Sequence, residues 1–160
     1  MQGKVAGLMA LALILIGAAC DSFPAGRHVG VYAKGPHGIT IVFVRCRNFD
    51  ARRIQLLEVR GDDPATDLPL WDIRAKTNAA RVTEFPVGRV PKGFVESLPL
   101  SKPLPTHQLL ATVQPTGAYP IGIVFRPRDL RRDRVFAENE FKTFNEFKRD
   151  ALDNCRPKKV

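Results

Sequence analysis

The side chains able to do chemistry are few and scattered along the chain. Beyond residue 19 the serines are Ser22, Ser97 and Ser101, none of them in a G-x-S-x-G turn, and the histidines are His28, His37 and His107. Nucleophilic catalysis by serine needs that turn to expose the hydroxyl and a histidine to take its proton, so no such site is expected. His28 and His107 stand near the starts of apolar runs and His37 lies in the turn KGPHG, the setting of ordinary exposed histidines. Asp62, Asp63 and Asp67 cluster in RGDDPATD and could hold a calcium ion weakly. The cluster lacks the alternating Asp/Asn ligands and closing Glu of an EF-hand loop, and a solvated turn is the simpler reading. Cys20, Cys46 and Cys155 form no C-x-x-C and no cluster with histidine, which leaves metal binding and thiol redox catalysis without a framework in sequence. No glycine-rich phosphate loop occurs. The expectation is a protein that is not an enzyme and needs no metal or cofactor, with a divergent acid/base pair such as Asp62 and His37 as the one remaining route to catalysis.

Arginine supplies the other chemistry. The chain carries sixteen arginines and nine lysines against sixteen acids, a formal charge of +9. Two stretches concentrate it: RCRNFDARR from Arg45 to Arg53, and RPRDLRRDR from Arg126 to Arg134. Forked guanidinium groups suit phosphate and carboxylate, so Arg45, Arg53, Arg126 and Arg132 are the expected anion-binding residues if they meet on one face. Asp50, Asp129 and Asp133 are interleaved and no aromatic ladder accompanies the arginines, which argues for local ion pairs on a solvated surface and against nucleic acid as a partner.

The amino terminus says where this chemistry would operate. Lys4 precedes an apolar run, Val5 to Ile16, interrupted only by Gly7, and then come the small residues Gly17-Ala18-Ala19 before Cys20. As a helix the run reaches only about 18 Å, short of the ~30 Å hydrocarbon core of a bilayer. Basic, apolar and small-residue regions in that order form a secretory signal over residues 1–19. The stretch Ile16-Gly17-Ala18-Ala19-Cys20 resembles a bacterial lipobox, although Gly17 stands where leucine is commonest and Ile16 one place early. The resemblance implies that Cys20 is diacylated on sulfur and becomes the first residue of an exported protein held by lipid on the periplasmic or outer face of a membrane. Asp21 resembles the signal that retains such proteins on the inner membrane of enteric bacteria. Cleavage after Ala19 by an ordinary signal peptidase is the competing reading.

An exported chain with three cysteines needs a reason for the odd one. If Cys20 carries lipid, Cys46 and Cys155 can pair in an oxidising compartment; otherwise both are buried free thiols. Removing the signal takes away Lys4 and leaves a formal charge of +8.

These residues need a scaffold to position them. Residues 20–26 read as an anchor linker, 27–155 as one domain and 156–160 as a basic tail. Short β-rich runs separated by turn signals fall at 28–33, 39–46, 54–60, 70–75, 82–87, 108–114 and 121–126. Seven such runs without intervening helices predict a mainly β fold, an antiparallel β-sandwich rather than parallel βαβ units. ITIVFVRC at 39–46 is apolar on both faces and predicts a central strand. In LWDIRA, Trp71 and Ile73 share the face opposite Asp72 and Arg74, which makes Trp71 a core residue. Prolines break residues 90–105 into a long connection with one edge strand, Phe94 to Leu98. Thr143 and Glu146 form a capping box opening a C-terminal helix, whose Phe144, Phe147, Ala151 and Cys155 lie on one face. That face would bring Cys155 to Cys46 and staple the helix to the sheet.

In layout the domain is similar to small bacterial lipoproteins of unknown function, with an Ig-like sandwich closed by a helix. The expected role is a noncatalytic, lipid-anchored interaction or structural module of the cell envelope, with an envelope protein as its partner. The alternative is a binding protein for an anionic envelope polymer or small ligand through the arginine-rich surface.

Overall fold

Apolar alternation sets the faces of two sheets. The computed structural model describes residues 28–46, 50–77, 81–101 and 103–155; Cys20, the signal, the linker and the tail lie outside them. The strands are β1 (Val29–Tyr32), β2 (Thr40–Phe43), β3 (Ala51–Glu58), β4 (Leu68–Ala75), β5 (Glu84–Pro86), β6 (Phe94–Leu98), β7 (Leu109–Pro115), β8 (Ile121–Phe125), β9 (Val135–Ala137) and β10 (Glu140–Lys142), followed by the helix α1 (Phe144–Asn154). The first sheet runs β10-β9-β1-β2-β5 and the second β6-β4-β3-β7-β8. Every pairing is antiparallel. The architecture is therefore mainly β, sandwich-like, with one C-terminal helix.

In the second sheet, register puts Ile54 beside Ile73 and Val113, and Leu56 beside Trp71 and Ala111. The β7–β8 ladder adds Leu109 with Phe125 and Val113 with Ile121. All of these are buried in the core, which the first sheet completes with Val29, Val31, Ile41, Phe43 and Phe85. Trp71 is fully buried, and its indole N–H donates to Glu96 Oε1 at 2.9 Å, which satisfies the ring's one polar atom.

The first sheet is buried on its other face as well. Gly30 opposes Val42 and Tyr32 opposes Thr40 on that side, and α1 covers it. The capping box is present: Thr143 Oγ1 accepts from Glu146 N–H at 3.2 Å, and Glu146 Oε2 accepts from Thr143 N–H at 2.8 Å. Phe147 and Ala151 are buried, and Phe144 meets the Tyr32 ring edge-on with centroids 4.8 Å apart. Lys142, at the hairpin beside α1, reaches Glu138, Glu140 and Asp150 at 2.9–3.1 Å. Burial alone would lower its pKa, but hydrogen bonds to these three carboxylates outweigh that and raise it.

Three placements differ from the sequence expectation. The ITIVFVRC strand is interior and buried on both faces as expected, but it ends at Phe43, so Cys46 lies three residues beyond it, and the middle strand of that sheet is β1. The seven expected strands and the edge strand β6 are joined by a hairpin, β9–β10, that was not expected. Its turn residues Glu138 and Asn139 have φ of 51° and 65°, the doubly left-handed geometry of a tight hairpin, without the usual glycine.

Gly30 sits where β1 passes under α1. A Cβ there would collide with Val135 Cγ1 and lie 3.4 Å from Phe147 Cε2. Gly30→Ala should destabilise the domain by about 1–3 kcal/mol through overpacking, read as a lower guanidinium midpoint at unchanged slope.

Candidate functional site

The second sheet has two chemically different ends. At one, β3 finishes, β7 starts and β8 finishes, since Glu58 pairs Leu109 and Leu109 pairs Phe125. Here Val59, Thr106, His107, Gln108, Arg126 and Arg128 line an open depression of about 380 Å³. Val59 N–H donates to Gln108 O at 3.1 Å, holding two of its walls together. Arg126 and Arg128 flank Pro127, the first residue of a single 3₁₀ turn (Pro127–Asp129). Asp129 N–H donates to Arg126 O at 3.0 Å and Leu130 N–H to Pro127 O at 3.3 Å, so the backbone carrying both guanidinium groups is fixed.

Glu58 stands beside this depression but is already engaged. Its Oε1 lies 2.8 Å from His107 Nε2, and its Oε2 accepts from Arg60 Nη2 at 3.0 Å. Arg60, with a smaller contribution from His107, holds the Glu58 carboxyl below the usual range. Among the described residues Arg126 has no carboxylate partner, and Arg128 approaches only the exposed Asp129 at 3.7 Å. The depression is thus lined by two arginines, a threonine, a glutamine and a histidine whose Nε2 is held by Glu58, residue types that suit an oxyanion.

The four arginines expected to form one face do not meet. Arg53 pairs Gln114 at the far end of β7 from Leu109, ~17 Å away along the strand. Arg53 is also occupied: its Nε donates to both oxygens of the buried Asp72 at 3.0 and 3.1 Å, and this raises its pKa. Arg45 donates to Asp50 at 3.1 Å. Arg132 is exposed in the connection between β8 and β9. The physical reason is strand direction: Arg53 opens an upward run and Arg126 closes one that is parallel to it two strands away, so the two are separated by a strand length. Arg126 alone of the four lines the depression, and sequence reasoning missed its companions Arg128, His107 and Thr106. The i, i+2 arginines around a proline were the signal that could have found the first.

At the opposite end Cys46 and Cys155 are joined in a disulfide with Cα atoms 5.4 Å apart. It closes a loop of 109 residues, worth about 4–5 kcal/mol of denatured-state entropy in the chain-entropy model. His28 was expected to be exposed; it is fully buried instead, because Val44 N–H donates to its carbonyl and folds the β2 exit over it. Its Nδ1 lies 3.0 Å from Val44 O and its ring 3.8 Å from Cys46 Sγ. The expected Cys46–Cys155 pair is present, and the fold adds His28 to it, a neighbour that no spacing in sequence announced. With the sulfurs bonded to each other, it is a staple. The acidic cluster is also structural: Asp63 Oδ1 caps the 3₁₀ turn at Pro64–Thr66 by accepting from Ala65 N–H at 2.9 Å, and Asp67 Oδ1 accepts from Arg60 N–H at 3.2 Å. His37 packs against Gly88 and Asp62 lies in the β3–β4 turn, so neither lines the depression.

The chain matches no protein-family model, and no curated protein or solved structure aligns significantly with it.

Burial lowers the His28 pKa from its ordinary 6.5, more than the Val44 hydrogen bond raises it. The folded state then binds fewer protons than the unfolded chain between the folded pKa and 6.5, so stability falls as pH is lowered through that window. Denaturation midpoints should drop from pH 7 downward, and His28→Gln should flatten the part of that profile above the carboxylate range.

Proposed function

We propose that this chain is a noncatalytic, lipid-anchored interaction module of the bacterial cell envelope, held through Cys20. The Cys46–Cys155 disulfide carries the reading. Disulfides persist in oxidising compartments, which supports export. The bridge also accounts for two of the three cysteines and leaves as the odd one the residue that directly follows Gly17-Ala18-Ala19. Two acyl chains on one cysteine give durable attachment where a single chain gives marginal binding. Cys20→Ala should abolish fatty-acid labelling in a bacterial host and release or misprocess the protein; labelling that persists in the variant would refute the anchor.

A second reading, binding of a small anionic ligand, is favoured by the depression at Arg126, Arg128 and His107. The separation of the arginine groups supports a compact ligand over a long polymer laid across the surface. Inorganic phosphate should bind the purified chain in titration calorimetry, and Arg126→Gln with Arg128→Gln should remove most of the heat. Equal binding by that double variant would move the anion elsewhere.

A further inference from the structure

The disulfide end of the domain also carries an aromatic tip. The β7–β8 hairpin places Tyr119 with 91 % of its surface exposed, beyond any neighbour that would explain an aromatic ring there. A chain of contacts ties this tip to the place where the polypeptide enters the domain. Val44 N–H donates to His28 O at 2.8 Å, and Cys46 bonds to Cys155. Arg45 pairs with Asp50; Thr116 N–H donates to Asp50 O at 2.8 Å, and Arg52 Nε donates to Thr116 Oγ1 at 2.8 Å. His28, the disulfide, Arg52 and the Tyr119 hairpin therefore share one end. His28 follows Cys20 by eight residues, so an anchor at Cys20 would keep this end within about 29 Å of the lipid.

The charge at this end has the sign an anionic bilayer attracts. Lys76 follows β4, its N–H bonded to Gly93 O at 2.8 Å, which brings Lys92 alongside. Arg81 lies two residues before Thr83, whose carbonyl accepts from Phe43 N–H at 2.8 Å where β2 ends. Arg52, Lys76, Arg81 and Lys92 are all exposed, and among the described residues none has a carboxylate partner. Of the acids nearby, Asp50 is paired with Arg45 and Asp72 with Arg53, while Glu138, Glu140 and Asp150 share the single cation Lys142 on the neighbouring sheet's hairpin. A tyrosine tip at the same end of the domain as cations without carboxylate partners is a combination that settles at a lipid headgroup layer, the ring at the interface and the cations on anionic phosphates.

We infer that this end of the domain is a membrane-contact surface, with Tyr119 inserted at the headgroup level and Arg52, Lys76, Arg81 and Lys92 seated on anionic lipid. The inference rests on the lipid-anchor reading and adds an orientation to it. The arginine-lined depression, at the opposite end of the second sheet, then points away from the bilayer.

Protein carrying Tyr119→Trp, processed and lipidated in a bacterial host and incorporated into vesicles of phosphatidylcholine mixed with phosphatidylglycerol, tests it. The buried Trp71 is the internal reference, and Asp62→Trp reports the opposite end. Brominated lipid should quench the Trp at 119 and leave the Trp at 62 unchanged. The quenching should weaken in phosphatidylcholine alone and on replacing the four cations with glutamine, by up to about fivefold in the contact equilibrium per cation. Flotation with the vesicles reads the anchor separately. Protein that floats without quenching at 119, or with equal quenching at both positions or in both lipids, overturns the contact while the anchor stands; the first of these outcomes leaves the hairpin to a protein partner. Protein that does not float overturns anchor and contact together.

Discussion

The first sheet can be apolar on both faces only because α1 lies across one of them, and that seating governs the rest of the molecule. β1 and β2 are buried along their whole length, eight residues without an exposed side chain. A sheet of this kind would present an apolar outer face to water if the helix detached. Two devices oppose detachment. The capping box fixes where the helix begins, and the Cys46–Cys155 bond fixes where it ends. Between them Phe147 fits over Gly30, where the missing side chain lets helix and strand approach. Tyr32 connects this layer to the edge strand β5: its hydroxyl donates to Glu84 Oε2 at 2.9 Å, and burial together with that carboxylate pushes its pKa up to about 12. It therefore stays a neutral donor throughout the physiological range.

The second sheet solves its outer face differently. No helix covers it among the described residues, so it mixes charge with apolar side chains. Asp72 is buried there by Arg53, while Arg74 approaches the same carboxylate at 3.7 Å. Removing Asp72 would leave Arg53 without its partner; removing Arg53 would leave a buried carboxylate with only the longer contacts to Arg74 at 3.7 Å and Gln55 at 3.5 Å, the costlier of the two changes. The cluster is best understood as a structural pair, and that withdraws Arg53 from any ligand. Exposed Val95 and Val124 lie beyond it on strands at or near the sheet's edges.

What could be read from sequence follows from how local each signal is. The capping box and the apolar stripe of α1 depend on residues within three or four positions of each other, and both were legible. So were Trp71 as core and β6 as an edge strand, because period-two alternation and proline placement are local too. The β9–β10 hairpin was not legible: its strands are three residues each, too short for a period, and its turn uses Glu138-Asn139 instead of a glycine pair. The Cys46–Cys155 pairing was legible because the helical stripe carries Cys155 on its packed face, but the burial of His28 beside it depends on the β2 exit folding back over the start of β1, which no spacing records. Arginine grouping failed for the same reason: adjacency in sequence does not say which end of a strand a residue occupies, and Arg53 and Arg126 fall at opposite ends.

That end-to-end separation gives the molecule its polarity. An antiparallel sheet of seven- and eight-residue strands keeps its two rims apart by the strand length. One rim holds the disulfide, the point where the chain enters the domain at His28, and the Tyr119 hairpin. The other holds the depression with Arg126 and Arg128 on their proline-fixed turn. Because the β3–β7–β8 ladders run uninterrupted through the core between Ile54 and Leu109, the rims are joined by the most regularly paired part of the fold. A tether at one rim would therefore orient the other without having to shape it, and a ligand bound at the far rim would need no contact with such a tether to be held facing away from it.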